Sequence, residues 1–211
     1  MSKGKLIILN GGSSAGKTTV ARSLQNYALK QNELFLHFGI DSFFDLFPDN
    51  IGMPESHKIR ESLFAIEDLG LHGQSYPIFK HTPKGNKVVE SRYLSIRSYL
   101  DKGFNIIGDE QFWELEWHKA LLNIFNDNEV FLVKVFADKN VVRQRELQRD
   151  SARLDRLCFS SYDYSHRNME YDYIIDTTKK TPEVLAKDLY QAYNQNTLMA
   201  FSRLRLKYSP I

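Results

Sequence analysis

A chain of 211 residues, 42% apolar and 26% charged, has the size and balance of one soluble domain with a full core and room for a small insertion. With 28 basic against 26 acidic residues the net charge is only +2, so composition gives no case for a nucleic acid or another polyanionic partner. A single cysteine, Cys158, excludes an intramolecular disulfide and a cysteine-built zinc site and fits a reducing compartment; a small buried apolar residue is its expected role.

The elements read in chain order as strands alternating with helices. Lys5–Asn10 predicts the first strand, through the apolar run Leu6-Ile7-Ile8-Leu9. Four apolar residues are too few for a signal-peptide core, and no stretch approaches the ~20 apolar residues of a membrane span. No membrane partner and a cytoplasmic location are therefore expected. Gly11-Gly12-Ser13-Ser14-Ala15-Gly16-Lys17-Thr18 follows, with the spacing of a P-loop, G-x-x-x-x-G-K-[ST]. A helix is predicted over Lys17–Lys30, with Val20, Leu24, Tyr27 and Ala28 near one face. Strand, glycine loop and helix together make an anion site, because successive backbone N–H groups and the positive end of the helix point into one concavity. Gly11 to Thr18, with Thr19 behind them, form the expected nucleotide-binding set. Lys17 would reach the β and γ phosphates and the Thr18 hydroxyl would ligate Mg²⁺.

Leu34–Ile40 is the second predicted strand, ending at Asp41. Asp41 lies among Phe38, Ile40, Phe43 and Phe44, where partial desolvation would raise its pKa and suit it to accept the proton of a hydroxyl. Its alternative role is the N-cap of a helix beginning at Ser42. Residues 49–90, rich in Gly, Pro, His and Lys, break the alternation and are expected to be an insertion bearing the acceptor site. Within them Tyr76–Lys80 and Lys87–Val89 predict a β-hairpin around the turn 81–86. Tyr76, His81, Arg92 and Arg97 are placed near the acceptor on location alone.

A helix is predicted over Ser91–Lys102 and a third strand over Asn105–Gly108, ending at Asp109-Glu110. A carboxylate at a strand end beside a P-loop is where a Mg²⁺-associated acid is expected, so Asp109 is the second metal candidate after Thr18; a cap for the helix predicted over Gln111–Asn126 is the alternative for either acid. Phe43, Phe44, Phe47, Phe112, Trp113 and Trp117 are expected to be shared between core packing and an acceptor pocket. Val130–Phe136 predicts the fourth strand and Asn140–Arg149 the next helix. From Arg143 to Arg156 the chain is dense in arginine, and residues 143–160 read as a lid that folds over the phosphates, with Arg145, Arg149 and Arg153 as its contacts. Glu146, Asp150 and Asp155 give several of these arginines an alternative role in surface ion pairs. Tyr173–Asp176 is the fifth strand, and Thr181-Pro182-Glu183 opens a helix to Met199. The basic stretch 203–207 reads as a solvated helix end.

This alternation argues for an α/β fold of three layers, a central parallel sheet of about five strands covered by helices on both faces. In such sheets ligands bind beyond the carboxyl ends of the strands, which is where the P-loop, Asp41 and Asp109 all fall.

Taken together these blocks resemble the chloramphenicol phosphotransferase-like family of P-loop kinases. The resemblance lies in Ile8–Lys17, in Phe38-Gly39-Ile40-Asp41-Ser42, in Ile106-Ile107 with Asp109-Glu110, in the arginine stretch, and in His166, Tyr171-Asp172 and Asp176-Thr177-Thr178. It implies a P-loop kinase that moves the γ-phosphoryl of ATP to a hydroxyl of a small acceptor, with a chloramphenicol-like antibiotic among the candidates. It also implies a catalytic aspartate at Asp41, the loop lysine at Lys17, and Thr177-Thr178 near the adenine. The sequence departs from the family pattern at Gly108 and Glu110, where Ile and Asp are usual. Two rival readings are a toxin-like nucleotide-sugar kinase and a nucleotide-dependent switch. A GTPase switch would want Asn-Lys-x-Asp, and Asn86-Lys87-Val88-Val89 lacks the aspartate. A homo-oligomer is left open.

Overall fold

The computed structural model describes residues 3–48, 57–68, 77–112, 114–148, 157–195 and 197–208. In chain order they form β1 (Leu6–Asn10), α1 (Lys17–Lys30), β2 (Phe35–Gly39), α2 (Ile40–Phe44), α3 (His57–Leu63), β3 (Phe64–Asp68), β4 (Pro77–His81), α4 (Pro83–Asp101), β5 (Asn105–Glu110), α5 (Leu115–Ile124), β6 (Val130–Phe136), α6 (Lys139–Leu147), α7 (Leu157–Tyr164), β7 (Tyr173–Asp176), α8 (Pro182–Gln195) and α9 (Ala200–Tyr208). Five strands make one parallel sheet in the order β2-β5-β1-β6-β7, as the alternation predicts, and β3 pairs with β4 in a separate antiparallel hairpin.

Side chains of β1 alternate between the two faces of the sheet, so every residue of this central strand is buried. Ile7 and Leu9 pack with Val20, Leu24 and Ala28 of α1 and Leu185 and Leu189 of α8. Leu6 and Ile8 pack on the other face with Tyr93 and Ile96 of α4, Leu121 of α5 and Leu204 of α9. These two cores fix the three layers and hold the carboxyl ends of β1, β2 and β5 side by side.

Several boundaries differ from expectation. The hairpin joins Phe64–Asp68 to Pro77–His81, not Tyr76–Lys80 to Lys87–Val89. Residues 83–101 are helical instead: Thr82 accepts the Gly85 N–H at 3.1 Å as N-cap and Pro83 supplies the preset first turn. Thus α4 starts eight residues before the expected Ser91. Strand β5 runs two residues past Gly108, and α5 starts at Leu115, so neither Asp109 nor Glu110 caps a helix. The last predicted helix ends at Gln195, short of the expected Met199, and a separate helix, α9, follows and carries the basic stretch 203–207. Asp172 Oδ1 accepts the N–H groups of Met199 and Ala200, both at 2.8 Å, and so caps α9. Among the described residues no helix is long and apolar enough to cross a membrane.

His118 of α5 is buried against the edge of Phe112, ring centroids 5.2 Å apart, with neither ring nitrogen hydrogen-bonded. Burial, reinforced by Lys207, pushes its pKa down from 6.5 to about 4. The unfolded chain binds this proton from about pH 6.5 downward and the folded chain does not. Stability is therefore lost as pH falls through that window, by about 3 kcal/mol at its lower end. His118→Phe is expected to flatten this part of the pH profile in urea melts; an unchanged slope between pH 6.5 and 4 would assign the acid sensitivity to other groups.

Candidate active site

The loop between β1 and α1 is shaped by close backbone approach. Gly16, preceding α1, has φ 91°, a left-handed conformation that glycine adopts without strain. A Cβ on Gly11 would lie 2.2 Å from the Val135 carbonyl oxygen, so only glycine lets β6 run this near. Lys17 folds back into the loop, its Nζ donating to the Gly12 carbonyl at 2.9 Å and standing 3.9 Å from Asp109 Oδ1. Thr18 Oγ1 donates to Asp109 Oδ2 at 2.6 Å. The two predicted metal candidates are thus in direct contact. Thr19 follows on the exposed side of α1.

Asp109 is buried, and burial alone would raise its pKa. The Lys17 ammonium, His37 and the Thr18 hydroxyl outweigh burial and hold it below the usual carboxylate range. Its Oδ1 makes no hydrogen bond. An ionised carboxylate with an uncommitted oxygen beside a threonine hydroxyl suits Mg²⁺, which prefers one or two carboxylates plus substrate phosphates. No cluster of three or more His, Cys, Asp or Glu side chains among the described residues offers an all-protein metal cage. The residues therefore fit a metal shared with a nucleotide.

Glu110 has a different environment from its neighbour. Burial pushes its carboxyl up, and Arg92 of α4 opposes this by pairing with Glu110 Oε1 through Nη1. Arg92 Nη2 also donates to the Phe38 carbonyl at 2.8 Å. The pair ties α4 to the ends of β2 and β5. Beside it a narrow cleft is walled by Ile40, Phe64, Val88, Val89 and Trp117, with Glu110 and His81 also in its lining. Phe47 lines this cleft too, whereas Phe112 is core.

Asp41 stands in the first turn of α2, two residues beyond Gly39, which is in register with Asp109. It is therefore at the carboxyl end of the sheet, as expected. It is not the N-cap of a helix beginning at Ser42, because α2 already starts at Ile40, and its side chain is exposed, so the desolvation expected from its neighbours is absent.

Arg145 and Thr177 meet at the other side of the loop. Arg145 donates through Nη1 to Thr177 Oγ1 at 2.9 Å and through Nη2 to the Thr177 carbonyl at 2.8 Å, and Thr177 Oγ1 donates to the Ala15 carbonyl at 2.8 Å. Arg97 is far from this region in its contacts, bonding Asp101, Asp127 and the Ile124 carbonyl. Arg149, Arg153, Tyr76 and Trp113 lie outside the described residues, as do the side chains of Phe43 and Phe44.

Several contacts at the site carried no sequence signal. His37 Nε2 is 3.7 Å from Asp109 Oδ2, with both ring nitrogens buried and without hydrogen bonds. Glu146 accepts from the Ser14 hydroxyl and, at 3.3 Å, from Ser13 Oγ. Ser161 Oγ accepts the Ser13 N–H at 2.8 Å, which seats α7 on the phosphate loop. Asn10 donates to the Ser165 carbonyl at 2.6 Å and to Tyr171 Oη at 2.7 Å, and accepts from Phe112 N–H at 3.1 Å. Strand alternation placed His37 on one face with Phe35 and Gly39, the one hint available.

A glycine loop between β1 and α1, its lysine and threonine on a strand-end aspartate, and a five-stranded parallel sheet in this order define a P-loop kinase. The chain belongs to the chloramphenicol phosphotransferase-like protein family, whose model matches residues 4–194. A candidate O-phosphotransferase of Mycobacterium tuberculosis is 35% identical over 211 residues, covering 99% of this chain and 91% of that protein. Among solved structures, the APS kinase CysC of Mycobacterium tuberculosis, in complex with AMPPNP and APS, superposes with a TM-score of 0.62 at 12% identity, covering 92% of this chain and all of that one. A sugar kinase from Janibacter sp. gives 0.61 at 15% identity, covering 90% and 95%. The protein is a phosphotransferase built on the fold that these kinases share.

Proposed function

We propose that the protein transfers the γ-phosphoryl group of ATP to a hydroxyl of a small acceptor. The observation that carries this reading is the contact of Thr18 with Asp109 at 2.6 Å, at the mouth of a loop whose lysine is already turned inward. The triphosphate would lie along the loop from Gly12 to Thr18, with Lys17 against the β and γ phosphates. Thr18 and Asp109 would hold Mg²⁺, which neutralises phosphate charge when bound. Arg145 and Thr177, joined across the loop, are the candidates for the nucleoside side of the site, with Arg149 and Arg153 as further phosphate contacts. Asp41 would take the proton of the acceptor hydroxyl. The acceptor would enter the cleft beside Arg92 and Glu110, with 49–90 as the segment that shapes it.

The test is mass spectrometry of chloramphenicol, APS, glucose and uridine incubated separately with the protein and Mg-ATP, with Lys17→Ala as control. A product heavier by one phosphoryl group, absent from the control, is the expected result and names the acceptor class. ATP hydrolysis with none of the four modified would remove the small-acceptor reading.

A further inference from the structure

Glu114 holds the N-cap position of α5 with extended backbone, φ −127° and ψ 145°, yet its side chain makes no capping bond. Its carboxylate reaches instead to the hairpin. Oε1 accepts the backbone N–H of His81 at 2.7 Å and stands 3.1 Å from His81 Nδ1. A carboxylate only accepts, so the Nδ1 proton faces Glu114, and in the neutral ring the lone pair is left on Nε2. The ring cannot turn freely: Trp117 packs edge-on at 4.5 Å between centroids, and Gly85 presents so close a surface that a Cβ there would be 3.1 Å from His81 Cδ2.

Both partners are over nine-tenths buried, with side chains 7% and 9% exposed. Burying a carboxylate is costly, and a tie between hairpin and α5 needs only the backbone N–H that Glu114 already receives. The imidazole is the part of this arrangement that structure alone does not require. It lines the same cleft as Glu110, whose strand neighbour Asp109 faces the phosphate loop. His81 Nε2 has no hydrogen-bond partner among the described residues. A carboxylate that fixes one ring nitrogen and leaves the other toward a substrate cleft is a general device for presenting a histidine in one orientation.

We infer that His81 is an acceptor-binding residue and Glu114 its positioning residue: His81 Nε2 receives a hydrogen bond from a hydroxyl, or another N–H or O–H group, of the acceptor. The bond orients the acceptor, and the proton stays on its own oxygen or nitrogen. The inference rests on the acceptor cleft proposed above.

Initial rates for wild type, His81→Phe, Glu114→Ala and the double variant test it, with ATP and with whichever of chloramphenicol, APS, glucose or uridine the wild type phosphorylates. His81→Phe keeps the ring volume and is expected to raise the acceptor KM about tenfold or more while the ATP KM stays fixed. Glu114→Ala moves the acceptor KM the same way and serves alone if His81→Phe does not fold. The double variant is no worse than His81→Phe, because the two residues act as a unit. A folded His81→Phe with unchanged acceptor KM overturns the inference and leaves the kinase reading intact. Equal shifts in both KM values, or additive effects in the double variant, also overturn it by assigning the pair to structure. Wild-type protein that phosphorylates none of the four removes the small-acceptor reading and this inference with it.

Discussion

Lys17→Ala is expected to abolish phosphoryl transfer, with turnover falling by about a thousandfold or more. The ammonium lies inside the loop, 2.9 Å from the Gly12 carbonyl, where a triphosphate would meet it at no cost of rearranging solvent. No other described cation takes this position, since Arg145 is committed to Thr177 and Arg92 to Glu110. The loss has a second component. Lys17 is the foremost influence holding the Asp109 carboxyl low against its burial, so its removal raises the pKa of the proposed metal ligand. The expected pattern is lost turnover together with a weaker response to Mg²⁺, measured as ADP release over a magnesium titration with saturating acceptor. Turnover within tenfold of wild type would show that the loop lysine does not stabilise the reacting phosphates.

Asp41→Asn is expected to lower kcat by about 10²- to 10⁴-fold while ATP affinity changes less than about threefold. The amide keeps the shape of the carboxylate and loses its capacity to take a proton. Asp41 is exposed in the first turn of α2, so a urea melt of the folded variant separates lost activity from lost stability. Nucleotide titration and steady-state rates on the same preparation separate the two effects. Unchanged turnover would mean that the acceptor's proton leaves by another route.

The sheet was legible because its central strands are buried on both faces. Leu6–Leu9 and Val130–Val133 are unbroken apolar runs, and the helix over Lys17–Lys30 follows from a glycine loop and one apolar stripe. The hairpin was misread for a local reason. Lys87-Val88-Val89 has β-branched residues, but Thr82-Pro83 carries the same helix-opening chemistry as Thr181-Pro182, and that chemistry prevails. The end of β5 was misread because carboxylates in a strand look like its terminus. Here Arg92, Thr18 and Lys17 offset their charge from other elements. The P-loop contacts of Ser161 and Glu146 were invisible for a related reason, since each is more than 130 positions from its partner. Motif spacing reports chemistry within one turn of chain, and such pairings exist only once the sheet has brought distant turns together.

The seating of α6 and α7 on the phosphate loop has a consequence for how the loop keeps its shape. Arg145 and Glu146 fasten the chain to the loop just before residue 149, and Ser161 fastens it again just after residue 156. The loop is thus held by two helices, each more than 130 positions from it in the chain. A disturbance of either helix therefore reaches Ser13 or Ser14 through a single hydrogen bond.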